Sequence, residues 1–443
     1  MTTLGSFDGW ITADIPPDMA APKPPQSITA FDTQLAATQE WWWAEPFVPD
    51  VVVVSAPQPI VGHQAFGVTV EVWTPSFGTV FLPTAVRLGL FDWETYEHTL
   101  AVGLGYDSMN CAKACNWEEA YHWLGYGLGA HVQATDDAGV TIWEGRVNQV
   151  QVSAAGLSVS KGPLQDVGNR VVVTYQLKVD ASDEGQEQKR TDPGNNLTSQ
   201  ARYGICYQTL SGGSTTTARA NQIRDAYLAL NAWPRMPKEL SLGGGDVRVT
   251  LNCLGYAHWL NYPYRYVTSK AMTTVSAKLA AVLAASPNGF FGGGNIITTN
   301  ALAVPGFEDT DKTAADIIGE LVNLGDAALN RYLFGIWANR IVRYEAAPTT
   351  TEYQQRTDDP RQVVENMHGH VVNPWAVRPG KWLAFSNLGA GSLVGRTGPG
   401  LPEEERTMFI ESVQFRAPYG LTLSGGVVND LVQALAQWGI GSI

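Results

Sequence analysis

A chain of 443 residues with 44% apolar and only 16% charged side chains can fill two to four domain cores, and its charge content is well below the roughly 25% of an average globular protein. The formal net charge of −13 excludes a protein that wraps nucleic acid, which needs a basic track of Lys and Arg. No apolar run approaches the roughly 20 residues of a membrane span, and a polar, Pro-containing stretch follows Met1 in place of an apolar leader. The sequence therefore reads as soluble, without stable membrane binding, and assembled in the cytoplasm.

Residues 1–60 are set apart by Pro16, Pro17, Pro22, Pro24 and Pro25, which stiffen the chain and break ladders, so an extended arm is expected there. Trp41, Trp42 and Trp43 follow in succession. Three adjacent indoles cannot share one face of a helix or strand; they anchor a neighbouring subunit or seal the arm onto its own chain, and a third option, insertion at a membrane interface, has no basic flank to support it. Residues 51–90 are β-rich, with VVVV at 51–54 and the alternating GVTVEVW at 67–73. A helix is expected over 111–123. The stretch 139–179 reads as successive strands with a short turn-like segment before the last, in which Val171, Val173, Tyr175 and Leu177 alternate with Thr174, Gln176 and Lys178. Within 140–152 the apolar phase shifts around Gly145 and returns by Val150, as a bulge or a strand covered on both faces would produce.

Residues 180–200 carry no apolar periodicity and read as a loop or insertion, and 212–217 reads as a turn. Ile223, Ala226, Tyr227 and Leu230 have helical spacing. Val247, Val249, Leu251 and Cys253 alternate with polar residues in a strand that ends at Gly255 before a short segment. The same strand–Gly–short-segment order occurs at Gly162, so the unit recurs and points to two related barrels. Helices are expected over 269–286 and 313–330; in the second, Ala314, Ile317, Ile318, Leu321 and Val322 form an apolar face that Asp311 or Thr313 caps. Residues 332–348 read as a hairpin turning at Asn339 and Arg340. Strands follow in WAVRPGKWLAF, MFIESVQF and LTLSGG. Leu431, Val432, Leu435 and Trp438 line a terminal helix whose stripe must pack on the chain's own core or on a partner.

No catalytic signature emerges: G-x-S-x-G, Walker A and dinucleotide-binding patterns do not occur. No catalytic, cofactor-binding or metal residue is assigned, and neither an enzyme nor a cofactor is expected. Cys111 and Cys115, near His122, lack a fourth ligand of matching spacing and read as free thiols. His368 and His370 lack an assignable carboxylate and read as a solvated loop. Glu94, Glu118, Glu119 and Glu144 lie near aromatic residues, as carbohydrate sites do, yet no pair has a spacing that fixes a glycosidase geometry.

Five stretches together resemble the hub and tail-tip proteins of tailed bacteriophages, including the baseplate-hub fold shared with contractile injection systems. They are DDAGVTIWEGRVNQVQVSAAGLSVSKGPLQDV (136–167), GGGDVRVTLNCLGYAHWLNYPYRY (243–266), ADIIGELVNLGDAALNRYLFGIWANRIVRYEAAP (315–348), VRPGKWLAF (377–385) and RTMFIESVQFRAPYGLTLSGG (406–426). The matching features are a strand with a W-x-G-x-V element, here Trp143, Gly145 and Val147, a Gly-ended strand before a short helix, and a late helix followed by an aromatic hairpin. The resemblance implies a virion tail protein that forms a homo-oligomer, a trimer above other states. Its partners would be the tail tube or distal tail ring and the central tip or fibre, with DNA meeting it only in transit through the lumen, where an acidic excess suits sliding. A carbohydrate-binding or glycan-degrading β-protein is the rival reading, and another capsid or tail structural protein a further one.

The expected fold is mainly β with α insertions (α+β), with two or more barrel-like antiparallel β domains plus short helices. The expected layout is an arm at 1–60, a first barrel-like domain at 61–180, an insertion and linker with a short helix at 181–240, a second β-rich domain with helical insertions at 241–425, and an amphipathic helix at 426–443. The interface residues expected from the sequence are Trp41, Trp42, Trp43, Leu431, Val432, Leu435 and Trp438.

Overall fold

The structure, a computed structural model, describes residues 67–75, 77, 85–154, 156–178, 187–236, 238–240, 246–264, 272–291, 293–305, 312–356, 363–386, 406–417 and 420–426. The first part of the chain holds β1 (Thr69–Trp73), β2 (Arg87–Leu90), β3 (Thr95–Ala101), β4 (Gly105–Ala114), helix α1 (Trp117–His122), β5 (His131–Thr135), β6 (Thr141–Ala154) and β7 (Leu157–Lys161). The middle holds β8 (Arg170–Leu177), β9 (Glu187–Arg190), β10 (Gly194–Asn195), α2 (Leu197–Tyr203), β11 (Tyr207–Thr215), α3 (Thr217–Asn231), β12 (Lys238–Leu240) and β13 (Arg248–Gly255). Then come β14 (Thr273–Thr274), α4 (Val275–Ala284), β15 (Ile296–Ile297), β16 (Ala303–Val304) and α5 (Ala314–Leu324). The last part holds β17 (Tyr332–Trp337), β18 (Ile341–Ala346), β19 (Thr351–Gln355), β20 (Val364–Asn366), β21 (Trp382–Phe385), β22 (Thr407–Arg416) and β23 (Gly420–Gly426). The fold is β-rich α+β, as the alternation in the sequence indicates, and its main sheet curls into a half-barrel.

At the centre of that sheet, β13 lies antiparallel between β4 and β6, so strands distant in sequence pair directly. The long β6 carries β5 along its first half and β7 along its second. Its pairing with β13 slips between Asn252 and Cys253, opposite Gln149 and Val147, which leaves Asn148 as the extra residue of a bulge. The freed Asn148 side chain accepts from the Gln165 backbone N–H at 3.1 Å, so the bulge seats the short 3-10 turn Leu164–Asp166. Both explanations of the shifted apolar phase hold at once: the strand is bulged, and a continuous run from Ile142 to Val147 is buried.

Glycine is required where strands come this close. A Cβ added at Gly145 would collide with the Leu254 carbonyl, and one added at Gly255 with the Tyr106 carbonyl. The Gly255→Ala variant is therefore expected to lose about 1–3 kcal/mol, the usual penalty for overpacking. A denaturant titration at neutral pH checks this, and an unchanged midpoint would refute the close approach.

The strand–Gly–short-helix order is present twice, as β7 with Leu164–Asp166 and as β13 with the 3-10 turn Tyr256–Trp259. The hairpin β17–β18 turns at Asn339 and Arg340. Thr313 caps α5, with Asp316 reciprocating in a capping box. That helix stops at Leu324, ahead of Gly325 at φ 62, and so is shorter than the spacing to residue 330 indicates.

Three expectations need correction. Cys111 lies in β4 and not in a helix: Met109, Cys111 and Ala112 are buried between β3 and β13. The helix starts only at Trp117, where Asn116 accepts from the Glu119 backbone N–H at 2.8 Å. Residues 187–190 form β9 along β8, and 197–203 form α2; a polar edge strand needs only one ladder partner and has little apolar periodicity to show. Residues 212–215 belong to β11, parallel to β8, with a bulge between Ser211 and Ser214, so the glycines there bend a strand. This small sheet packs under α3 through Val173, Tyr175 and Ala220, with Leu177, Leu210 and Ile223 around them.

Candidate functional site

The main polar feature of the interior lies where β5, β6, the Tyr256–Trp259 turn and the β17–β18 turn meet. Glu144 and Arg146, two apart on β6, flank Gly145 and are both buried, as are His131 on β5 and Arg340 in the hairpin turn. The Glu144 carboxylate Oε2 accepts from the Asn339 backbone N–H at 2.5 Å. Its other oxygen, Oε1, lies 4.0 Å from Arg340 Nε and 3.9 Å from His131 Nε2. His131 Nδ1 is hydrogen-bonded to the Tyr256 hydroxyl at 2.7 Å.

The two guanidiniums are held by aromatic faces. Arg340 lies 4.9 Å from the Tyr256 ring centroid and 5.6 Å from that of Phe290. Arg146 lies 4.6 Å from the Trp259 centroid and 5.3 Å from that of Phe290. Arg146 also donates from Nη2 to the Tyr203 carbonyl at 2.8 Å and from Nε to the Gly129 carbonyl at 3.3 Å. Aromatic faces attract cations most strongly when water is excluded.

These contacts hold an unfavourable backbone. Asn339 and Arg340 have φ values of 60 and 58. Successive left-handed residues make a tight hairpin turn; Asn tolerates the conformation, whereas for Arg it costs about 1–2 kcal/mol. Glu144 clamps that turn to β6, and the stacked Arg340 side chain holds it from the other direction.

Burial pushes the Glu144 carboxyl up to about 7 against the opposing pull of Arg340 and the turn N–H groups. Burial also holds His131 well below its ordinary value, helped by the nearby cations Arg340 and Arg146. His131 is therefore neutral near pH 7, and Glu144 stands at its titration point. Geometrically this is a joint that locks a late hairpin onto an early strand.

The sequence-derived candidates are placed as follows. Trp41, Trp42, Trp43, Leu431, Val432, Leu435 and Trp438 lie outside the described residues. All four cysteines are free, and burial pushes the Cys111, Cys206 and Cys253 thiols up, which keeps them protonated and unreactive near neutral pH. His368 and His370 lie in an exposed turn whose backbone N–H groups donate to Asn366 Oδ1. Among the described residues no group of three or more His, Cys, Asp or Glu gathers as metal ligands do. Of the four carboxylates near aromatics, three are engaged separately, Glu94 with Arg248 at 3.1 Å, Glu119 with Lys113, and Glu144 in the joint, and Glu118 is exposed. Arg146, His131 and Tyr256 escaped the sequence reading, and Arg340 figured in it as a turn residue alone. Their one signal is charge set inside otherwise apolar, aromatic-rich strands and turns.

A second feature faces outward. On α1 and the π-turn that follows it (Trp123–Gly127), Trp117, Tyr121 and Tyr126 are exposed. Trp117 lies 5.6 Å from Tyr121, and His122 lies 5.4 Å from Tyr126. Lys161 donates to the Leu124 carbonyl and Arg202 to that of Gly125, which fixes the middle of the turn.

No family model and no curated protein matches the chain. Among solved structures, the 43 kDa tail protein of prophage MuSo2 from Shewanella oneidensis is similar at 7% identity and a TM-score of 0.38, over 83% of this chain and 98% of that one. A tail protein from Neisseria meningitidis MC58 is similar at 9% identity and a TM-score of 0.37, over 83% of this chain and 99% of that one.

Proposed function

We propose that the chain is a structural subunit of a phage tail, placed at the tail tip as the baseplate hub or the ring beside it. There it joins the tail tube to the central tip or fibre and closes the lumen. The observation that carries this reading is where the resembling stretches meet. The W-x-G-x-V element supplies Trp143, Glu144, Gly145 and Arg146; the Gly-ended strand supplies Gly255 and Tyr256; the late hairpin supplies Asn339 and Arg340. Glu144, Tyr256, Asn339 and Arg340 meet in the one joint, Arg146 shares the Phe290 ring with Arg340, and Gly145 pairs with Gly255 on the ladder beside it. Buried polar groups spent on locking a hairpin serve shape, and shape is the task of a tail subunit. The expected assembly is a homo-oligomer of three copies, in contact with the tube and the tip, with DNA passing through.

Immunogold labelling of the virions that carry this chain tests the proposal. Label confined to the distal end of the tail is expected; label on the capsid, or none, overturns it. The exposed Trp117, Tyr121 and Tyr126 rings favour a second reading, a sugar-stacking surface. A glycan screen that loses its hits in the Tyr121→Ala variant would support that reading.

A further inference from the structure

Two outer strands share a feature that no other strand has. β11 contains Thr209-Leu210-Ser211-Gly212-Gly213, and β23 contains the same pentapeptide, Thr422-Leu423-Ser424-Gly425-Gly426. In both, the Thr and the Ser are exposed and the Leu between them is half-buried. Among the described residues β11 pairs only with β8, in the small sheet, and β23 only with β22, in the main one. Among the described residues each therefore has no strand along its other side, where Asn261 Nδ2 donates to the Tyr207 carbonyl at 3.4 Å at the start of β11. Neither strand contains a charged residue or a proline.

Open edges of that kind recruit further strands unless guarded by charge, proline or short length. Among the described residues the other outer strands are so guarded: β2 is four residues long and carries Arg87, and β9 is four long and carries Lys189 and Arg190. β12 is three long and carries Lys238 and Glu239, β20 is three long and carries Glu365, and β10, β14, β15 and β16 are two long. β11 and β23, at nine and seven residues, are the long uncharged edges of this group. Their small side chains let another backbone approach closely. Their bare edges belong to two different sheets, so a contact between them on two molecules is head-to-tail, and such contacts close into rings when the rotation allows.

We propose that β11 of one copy pairs with β23 of the next, over the Thr-Leu-Ser segments ahead of the glycines, so that a second copy of this chain is the partner of each edge. The pairing deepens the structural reading by naming the interface, and it rests on that reading for the closed ring alone.

The test is complementation between two single variants of the full chain. Thr209→Lys guards the β11 edge and leaves β23 intact; Thr422→Lys does the reverse. Native mass spectrometry of each variant alone is expected to show the monomer. An equimolar mixture is expected to regain dimers, because one intact β11 and one intact β23 remain, but nothing larger. Circular dichroism and thermal unfolding like those of the wild type establish that both fold; Thr209→Glu and Thr422→Glu replace them where they do not. Three outcomes overturn the proposal: single variants that keep the wild-type oligomer, a mixture that stays monomeric, or one variant that dimerises alone, which is the mark of a self-paired edge. If the mixture stays monomeric while immunogold still marks the tail tip, the pairing falls and the tail assignment stands.

Discussion

Replacing Arg340 with Ala is expected to cost about 3–5 kcal/mol at pH 9, the range for removing one partner of a buried charge pair, and clearly less at pH 5. The difference follows from Glu144. Its carboxyl titrates at about 7 in the folded protein, against an ordinary value of 4.5, with burial the first cause and Arg340 the first opposing one. Above pH 7 the carboxylate is ionised, and without Arg340 it is left with the turn N–H groups as its remaining support. Below that pH it is protonated, and little charge is stranded. Losing Arg340 also removes the larger of the two cationic influences that keep His131 neutral, which again eases the loss in acid. The measurement is denaturant unfolding of wild type and variant at pH 5, 7 and 9. An equal loss at all three would mean that the guanidinium contributes packing alone.

The second large effect is expected from His98 on β3. The ring is 1% exposed, its Nδ1 is 2.9 Å from the Tyr96 hydroxyl, and Nε2 has no hydrogen-bond partner among the described residues. Burial, with the Arg378 guanidinium adding to it, lowers its pKa from 6.5 to about 3. Below pH 6.5 the unfolded chain takes up a proton that the folded one refuses, so stability falls as pH falls. The loss is about 2 kcal/mol at pH 5, at roughly 1.4 kcal/mol per pH unit, and it grows down to about pH 3. Glu144 works in the opposite direction, because the folded state takes its proton first between about pH 7 and 4.5. The comparison that cancels Glu144 is wild type against the paired variant His98→Leu with Tyr96→Phe, which leaves no hydroxyl stranded. The gap between them should shift in favour of the variant by about 2 kcal/mol from pH 7 to pH 5. A gap that does not move with pH would contradict a neutral His98.

Much of the strand order was legible because alternation reports burial on one face. Val171 to Leu177, Val249 to Cys253 and the hairpin at Asn339 fall where their patterns place them. The pattern failed where pairing overrode it. β9 is polar because it lies at an edge, and Gly212 and Gly213 bend a strand without ending it. Cys111 had helical spacing to Cys115, but the ladders to Tyr96 and Leu251 decided its state. The joint was half-legible. Glu144 stood out as a carboxylate beside Trp143, and the turn at Asn339 could be read, but their meeting joins residues 195 positions apart, which spacing does not encode. The matching edges β11 and β23 were present as letters in the sequence, and their meaning depends on which strands are left without a second neighbour.

Native mass spectrometry of the purified full chain in mild buffer tests the central claim most directly. A closed assembly of three or six copies is what a ring-forming tail subunit predicts. A chain that stays monomeric at every concentration tested would contradict it.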